Sequence, residues 1–262
     1  MHPATGSVAL EIAVQDVAGA LVAARGGAQR IELCAALAAT GGLTPSAGLV
    51  AAVADALAGT GVGVHVLVRP RPGAFVYDDV EVGVQVRDVR AVLDAGADGV
   101  VVGALTPSGD VDDVALAALA DAAGGAELTF HRAFDMARDR VAALGEMRRA
   151  DVRRVLTSGG APSAAGGIAE LARLAPIAAG LGVELMAGGG VRPGDVAPLV
   201  AAGVDAVHLS ARRPVPGDGG PGGGDGGYDV TDADVVAAAA AALRGASGTS
   251  RHLRQGGTRA PR

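Results

Sequence analysis

Within five residues the segment Thr129-Phe130-His131-Arg132-Ala133-Phe134-Asp135 sets down an imidazole, a guanidinium and a carboxylate. The segment lies where an apolar run (Ala126 to Phe130) gives way to a helical pattern (Ala137 to Arg149). Polar groups at the C-terminal end of a strand, in a chain that repeats strand then helix, sit where such folds keep their chemistry. His131, Arg132 and Asp135 are therefore candidate catalytic residues. Strand parity adds three more, because alternate side chains share a face. Glu11 and Ala13 align on the first apolar run, Glu32 and Cys34 on the second, and His65, Leu67 and Arg69 on the third. Outward-facing charges would lie under a layer of helices, where ionised groups are costly unless paired. Glu11, Glu32 and Arg69 are thus expected to point inward and converge at one end of the fold, with His131 facing them. An interior ion triad that only fills space is a poor stabiliser compared with apolar packing, which favours a functional role. His65, His208 and the single cysteine carry weaker signals, since a lone cysteine is most often a small buried apolar group.

A second signal is glycine. Thr157-Ser158-Gly159-Gly160 follows the sixth apolar run and Gly188-Gly189-Gly190 the seventh. Backbone N–H groups at such turns suit a phosphate or carboxylate, and barrels often bind phosphate after their last strands. Ser158, Gly159, Gly160, Gly188, Gly189 and Gly190 are the candidate anion-binding residues. Tight turning alone also calls for glycine there.

Something must position these groups. Eight short apolar runs recur with helix-length segments between them: 8–14, 30–33, 62–68, 99–102, 127–130, 153–156, 183–186 and 205–209. Short runs without alternation are the mark of buried parallel strands. Helical stretches end in Gly-Ala-Asp98 and Gly-Val-Asp205, where glycine can supply the left-handed residue that stops a helix. Eight such units without an internal boundary predict an α/β fold, a (β/α)8 TIM barrel, over residues 8–244. Residues 1–7 form a short extension. The glycine-rich stretch 214–227 is expected to be a flexible insert, and the tail 245–262 to be disordered.

Composition narrows the function. Half of the 262 residues are hydrophobic but only 2% aromatic, so the core must be Ala, Val and Leu. All 22 basic residues are arginine, which rules out a Schiff-base lysine. A formal charge of −6 argues against nucleic acid or an anionic membrane as partner. Cys34 alone cannot form an intrachain disulfide. Without a signal-peptide pattern or a membrane-length apolar run, a cytoplasmic location is expected.

Taken together, these residues resemble the CutC family, historically called copper homeostasis proteins. The matching segments are Glu32-Leu-Cys34, Gly41-Gly-Leu-Thr-Pro-Ser46, Arg69-Pro-Arg71, Gly99 to Pro107, Thr129 to Met136, Arg154 to Gly160 and Ala187 to Gly190, in order from about residue 8 to 213. The resemblance implies a TIM barrel, a cytoplasmic homodimer and an association with copper, as cysteine-bound Cu(I) in some members. Members linked to Cu(I) place a cysteine in the first strand, where this chain has Ala13. By parity Ala13 would lie beside Cys34, so a two-thiolate site has lost a ligand. Cys34 remains as a metal candidate, with Met186 or a histidine as helper. The alternative is an enzyme of isomerase, lyase or hydrolase type acting on a small anionic substrate. Arg69 would hold the anion, Glu11 and Glu32 would share acid–base work with split pKa values, and His131, positioned by Asp135, would polarise a carbonyl or hydroxyl.

Overall fold

The computed structural model describes residues 8–217 and 226–255, with the side chains of 247–255 left aside. The 1–7 extension, positions 218–225 of the insert and 256–262 of the tail lie outside the described residues. Eight strands close into a barrel in the order of the sequence: β1 (Ala9–Val14), β2 (Arg30–Leu33), β3 (Gly63–Leu67), β4 (Gly99–Val102), β5 (Glu127–Phe130), β6 (Arg154–Thr157), β7 (Glu184–Ala187) and β8 (Ala206–Leu209). Every neighbouring pair is parallel, and β8 returns to β1. The expected TIM barrel is the fold.

The helices are α1 (Val17–Arg25), α2 (Leu37–Thr40), α3 (Ala47–Leu57), α4 (Asp79–Asp94), α5 (Asp113–Ala123), α6 (Arg140–Arg149), α7 (Ile168–Leu181), α8 (Val196–Ala201) and α9 (Ala233–Gln255). Asp16, Ser46, Asp78, Asp112 and Asp139 cap the starts of α1 and α3 to α6 with their side chains, satisfying N–H groups that a helix start leaves unpaired. The Gly-x-Asp pattern before a strand has a second use. Asp98 accepts the Val64 N–H at 2.8 Å, and Asp205 accepts that of Leu185 at 2.8 Å. Each carboxylate thereby ties the entry of its own strand to the neighbour's.

Three expectations differ from the structure. The insert is not irregular from residue 214: Arg212–Pro216 and Gly227–Thr231 pair antiparallel as β9 and β10. Arg212 grips Asp229 at 2.9 Å across the pair. The last helix, α9, runs on to Gln255, into the stretch expected as a tail. Alanine, leucine and arginine in that stretch are good helix formers, and they carry the helix through Gly245 and Gly248. The helix expected from Ala137 begins only at Arg140, and the residues before it, Arg132–Met136, make a 3-10 turn.

The hydrophobic core lies between strands and helices, where outward residues such as Leu10, Ile12, Ile31, Leu33, Phe130 and Leu185 are fully buried. Inside the barrel the picture reverses. Inward positions carry Glu11, Arg30, Glu32, His65, Thr129, His131, Arg154 and His208, all buried. Small apolar clusters fill the rest: Ala9, Leu156, Met186 and Ala206 in one, Cys34, Leu67 and Val101 in another.

Candidate functional site

Glu11 stands fully buried in the middle of β1. Register sets it opposite Arg30 on one side and His208 on the other. Both contacts form: Arg30 Nε donates to Glu11 Oε2, and His208 Nδ1 lies 2.7 Å from Glu11 Oε1. With Nδ1 engaged, the other ring nitrogen of His208 is left for Glu32, whose Oε2 is 3.9 Å from Nε2. The result is a carboxylate–imidazole–carboxylate array across three adjacent strands, β2, β1 and β8. Glu32 is 5% exposed and receives no hydrogen bond from the described residues.

Electrostatics separates the two acids. Burial pushes Glu11 up, but Arg30 and His208 outweigh it and hold the carboxyl well below its usual range. Glu32 lacks such a guanidinium contact. Burial, joined by repulsion from Glu11 and opposed mainly by His208, raises it to about 7. Burial works against a charged His208, yet Glu32 and the bond to Glu11 more than compensate and raise its pKa. Near neutrality the array therefore holds an ionised Glu11, a His208 whose protonated form its two carboxylate neighbours favour, and a Glu32 poised to gain or lose a proton.

His131 closes the opposite wall, since β5 lies across an eight-strand ring from β1. Its Nδ1 accepts the Ala133 N–H at 3.1 Å, so the proton of the neutral ring sits on Nε2. Nε2 is buried without a partner. Phe75 packs against the ring at 4.8 Å between centroids. Burial, with the nearby Arg69 cation second, lowers the imidazole pKa to about 3. Gly103 stands where a Cβ would collide with the ring. A bare backbone on β4's extension is thus what admits the histidine.

Arg69 occupies a different place from the one expected. Its guanidinium donates to the carbonyls of Thr40, Gly42 and Gly73 at 2.9, 3.1 and 3.0 Å and lies over Phe75 at 5.1 Å. It forms no ion pair with Glu11 or Glu32; Arg30 holds that position. Only its Nε is buried and unpaired.

The expected anion turn after β6 is filled from within. Asp135 accepts the N–H groups of Ser158 (2.9 Å) and Gly160 (3.0 Å) and the hydroxyl of Thr157 (2.5 Å). Gly159 N–H goes to Thr157 Oγ1 at 2.9 Å. The anion held by this turn is the protein's own carboxylate, so Ser158, Gly159 and Gly160 have no donors left for a ligand, and Asp135 does not touch His131. Arg132 bridges Asp135 (2.8 Å) and Ser158 (3.0 Å) at the rim. Its guanidinium lies so close to Gly189 that a Cβ there would come within 2.9 Å of Cζ. Gly188 donates to the Thr157 carbonyl, and a Cβ on it would meet Leu156 and His208. The N–H groups of Gly189 and Gly190 make no hydrogen bond among the described residues.

Soft-metal binding finds little here. Cys34 is buried with Sγ against the Val14 carbonyl at 3.6 Å, and burial followed by the Glu32 charge pushes its thiol well up. Met186 is no helper: its sulfur accepts from Arg30 at 3.2 Å, among Ala9, Leu156 and Ala206. One protonated thiol beside Ala13 does not fit Cu(I), which favours paired thiolate or thioether donors.

Parity pointed to Glu11, Glu32 and Arg69, and the polar segment after the fifth strand to His131. The residues it undervalued, Arg30 and His208, shared the same inward faces: Arg30 is two positions from Glu32, and His208 is opposite Glu11.

A (β/α)8 barrel with a polar interior and a buried acid–base array below its mouth defines the class. Residues 8–213 match the CutC family, and the chain belongs to that family. It is 43% identical over 241 residues to a CutC family protein of Xylella fastidiosa, covering 88% of this chain and 86% of that one. A CutC family protein of Salmonella enteritidis is 44% identical over 202 residues, covering 77% and 79%. A Streptococcus agalactiae CutC, named for copper homeostasis, has a crystal structure that superposes with a TM-score of 0.73 at 29% identity, over 77% of this chain and 97% of that one. Thiamine phosphate pyrophosphorylase of Pyrococcus furiosus (TM-score 0.58, 13% identity, covering 92% and 98%) shares the fold alone. No helix among the described residues is long and apolar enough to cross a membrane.

Proposed function

We propose that this CutC family member is an enzyme performing acid–base chemistry on a small anionic substrate at the barrel mouth, rather than a Cu(I) carrier. The observation that carries the reading is the buried array Glu11–His208–Glu32, in which Glu32 has its proton affinity set near neutrality. A general acid–base works best with a pKa close to the working pH. Structural ion pairs do not need that, and a carboxylate left without hydrogen bonds is costly unless something binds it. Glu11 and Arg30 orient His208, and His208 tunes Glu32. At the rim, Arg132 and the N–H groups of Gly189 and Gly190 supply charge and donors for a phosphate or carboxylate. Copper handling, which the names of relatives suggest, has only Cys34 to draw on. A cytoplasmic location and a homodimer complete the reading, as the family resemblance implies.

Thermal shift with small phosphorylated and carboxylated metabolites tests it, because a ligand of the folded state raises its stability. At least one anion should stabilise the wild type, and Glu32→Gln and Arg132→Gln should each reduce that gain. Identical responses from both variants would reject the site.

A further inference from the structure

We infer that the substrate is a small carbonyl compound bearing a hydrogen on the carbon next to the carbonyl, and that the reaction proceeds by proton transfer at that carbon. This rests on the acid–base reading of the Glu32–His208 pair and adds the reacting group. Three observations lead to it. His131 is 5% exposed, and its Nε2–H has no partner. The Ala133 N–H on Nδ1 fixes that tautomer. The ring is wedged between Phe75 and the bare backbone of Gly103, so it cannot turn the donor elsewhere. A buried N–H without an acceptor is destabilising, and a bound ligand oxygen removes that cost. Arg69, beside the ring, disfavours a second proton. The donor is thus a neutral imidazole, matched to an oxygen that gains charge without taking the proton outright.

The step balances within the substrate. The Glu32 carboxylate takes the hydrogen as a proton, and the C–H electron pair becomes a C=C bond. The carbonyl π pair moves to oxygen, which is held as an enolate by His131 Nε2–H. Return of the proton from Glu32 to the same carbon, after mixing with water, gives exchange with solvent. Where that carbon bears a hydroxyl, return to the former carbonyl carbon, with the hydroxyl proton passing to the enolate oxygen, gives an isomer. No oxidant or metal is consumed.

Two measurements decide the matter. In ¹⁵N NMR, His131 should remain the neutral Nε2–H tautomer from pH 8 down to about pH 4, given a pKa near 3; an imidazolium near pH 6 overturns the proposal. Dihydroxyacetone phosphate, pyruvate and glyceraldehyde incubated with the protein in D2O should reveal enzyme-dependent deuterium uptake at the carbon beside the carbonyl in at least one. His131→Ala, which removes the donor, should lower that rate by roughly 100-fold, and His131→Gln, whose amide N–H can reach the position of Nε2, should lower it less. Wild-type exchange that ignores His131 overturns the proposal, as does its absence with all three. If those probes bind through Glu32 without exchanging, only the carbonyl assignment falls. If Glu32→Gln binds and exchanges as the wild type does, the acid–base reading falls with it.

Discussion

Glu32 makes the most exposed claim of any single residue. Its carboxyl titrates at about 7 in the fold and near 4.5 when free of it. Between those values the folded protein holds a proton that the unfolded chain has lost. Raising the pH through that window therefore erodes stability, and the contribution is fully present only below about 4.5. A tenfold difference in proton affinity between the folded and unfolded chain is worth about 1.4 kcal/mol, so the loss from pH 5 to pH 8 should be about 1–3 kcal/mol. Glu32→Gln cannot ionise and should escape it. Urea unfolding of both proteins at the two pH values should show the wild type losing ground to the variant as pH rises; parallel behaviour would mean Glu32 is solvated like any surface acid. Glu11 will not behave this way, because Arg30 and His208 keep it ionised. Why Glu11 and Glu32 were legible and Arg30 was not is a matter of position. A charge in mid-strand must be explained, whereas an arginine at a strand's first residue reads as solvent-facing. Its burial beneath Glu11 depends on strand register, which a single sequence does not display.

At the scale of elements, the turn after β6 carries the clearest lesson. Thr157-Ser158-Gly159-Gly160 has the composition of an anion-binding loop, and it does bind one, the Asp135 carboxylate delivered by the 3-10 turn after β5. The contact spans more than twenty residues of sequence, so the local pattern announced a receptor without naming its occupant. Removing the carboxylate in Asp135→Ala leaves the Ser158 and Gly160 N–H groups and Arg132 without their acceptor. The expected cost is about 2–4 kcal/mol. Inorganic phosphate should then stabilise Asp135→Ala markedly and the wild type far less, read as the difference in melting temperature with and without it. Equal phosphate responses would show that these donors never form a cradle. Strand positions, by contrast, were legible to within a residue or so, because buried parallel strands read as plain apolar runs. The β9–β10 pair was not. Pro214, Pro216 and the glycines around them dilute any strand signal, and what holds the pair is a cross-strand register including Arg212 and Asp229.

The barrel as a whole departs from the usual interior of branched apolar layers. From floor to mouth run Glu184, Arg154 and Glu127, then Arg30 and Glu11, then His208 and Glu32. Such a column costs desolvation at every step, and a molecule built only to carry a soft cation has no use for it. Cu(I) wants polarizable sulfur, which the interior supplies at Cys34 and at a Met186 already committed to Arg30. Yet the scaffold lacks only one ligand. Val14 and Cys34 are bonded through backbone, Cys34 N–H to the Val14 carbonyl at 3.0 Å, which sets Ala13 diagonally beside Cys34 on an inward face. Ala13→Cys would add a second thiol there, about 7–8 Å away between Cα atoms, within reach of one two-coordinate ion. Under reducing conditions the wild type should surrender Cu(I) to a competing chelator of modest affinity. Ala13→Cys should retain about one equivalent, and Ala13→Cys with Cys34→Ser should lose it again. Stoichiometric retention by the wild type would restore copper to the centre of this protein's role, and a failure of Ala13→Cys to gain any would mean that the two faces do not meet as the register places them.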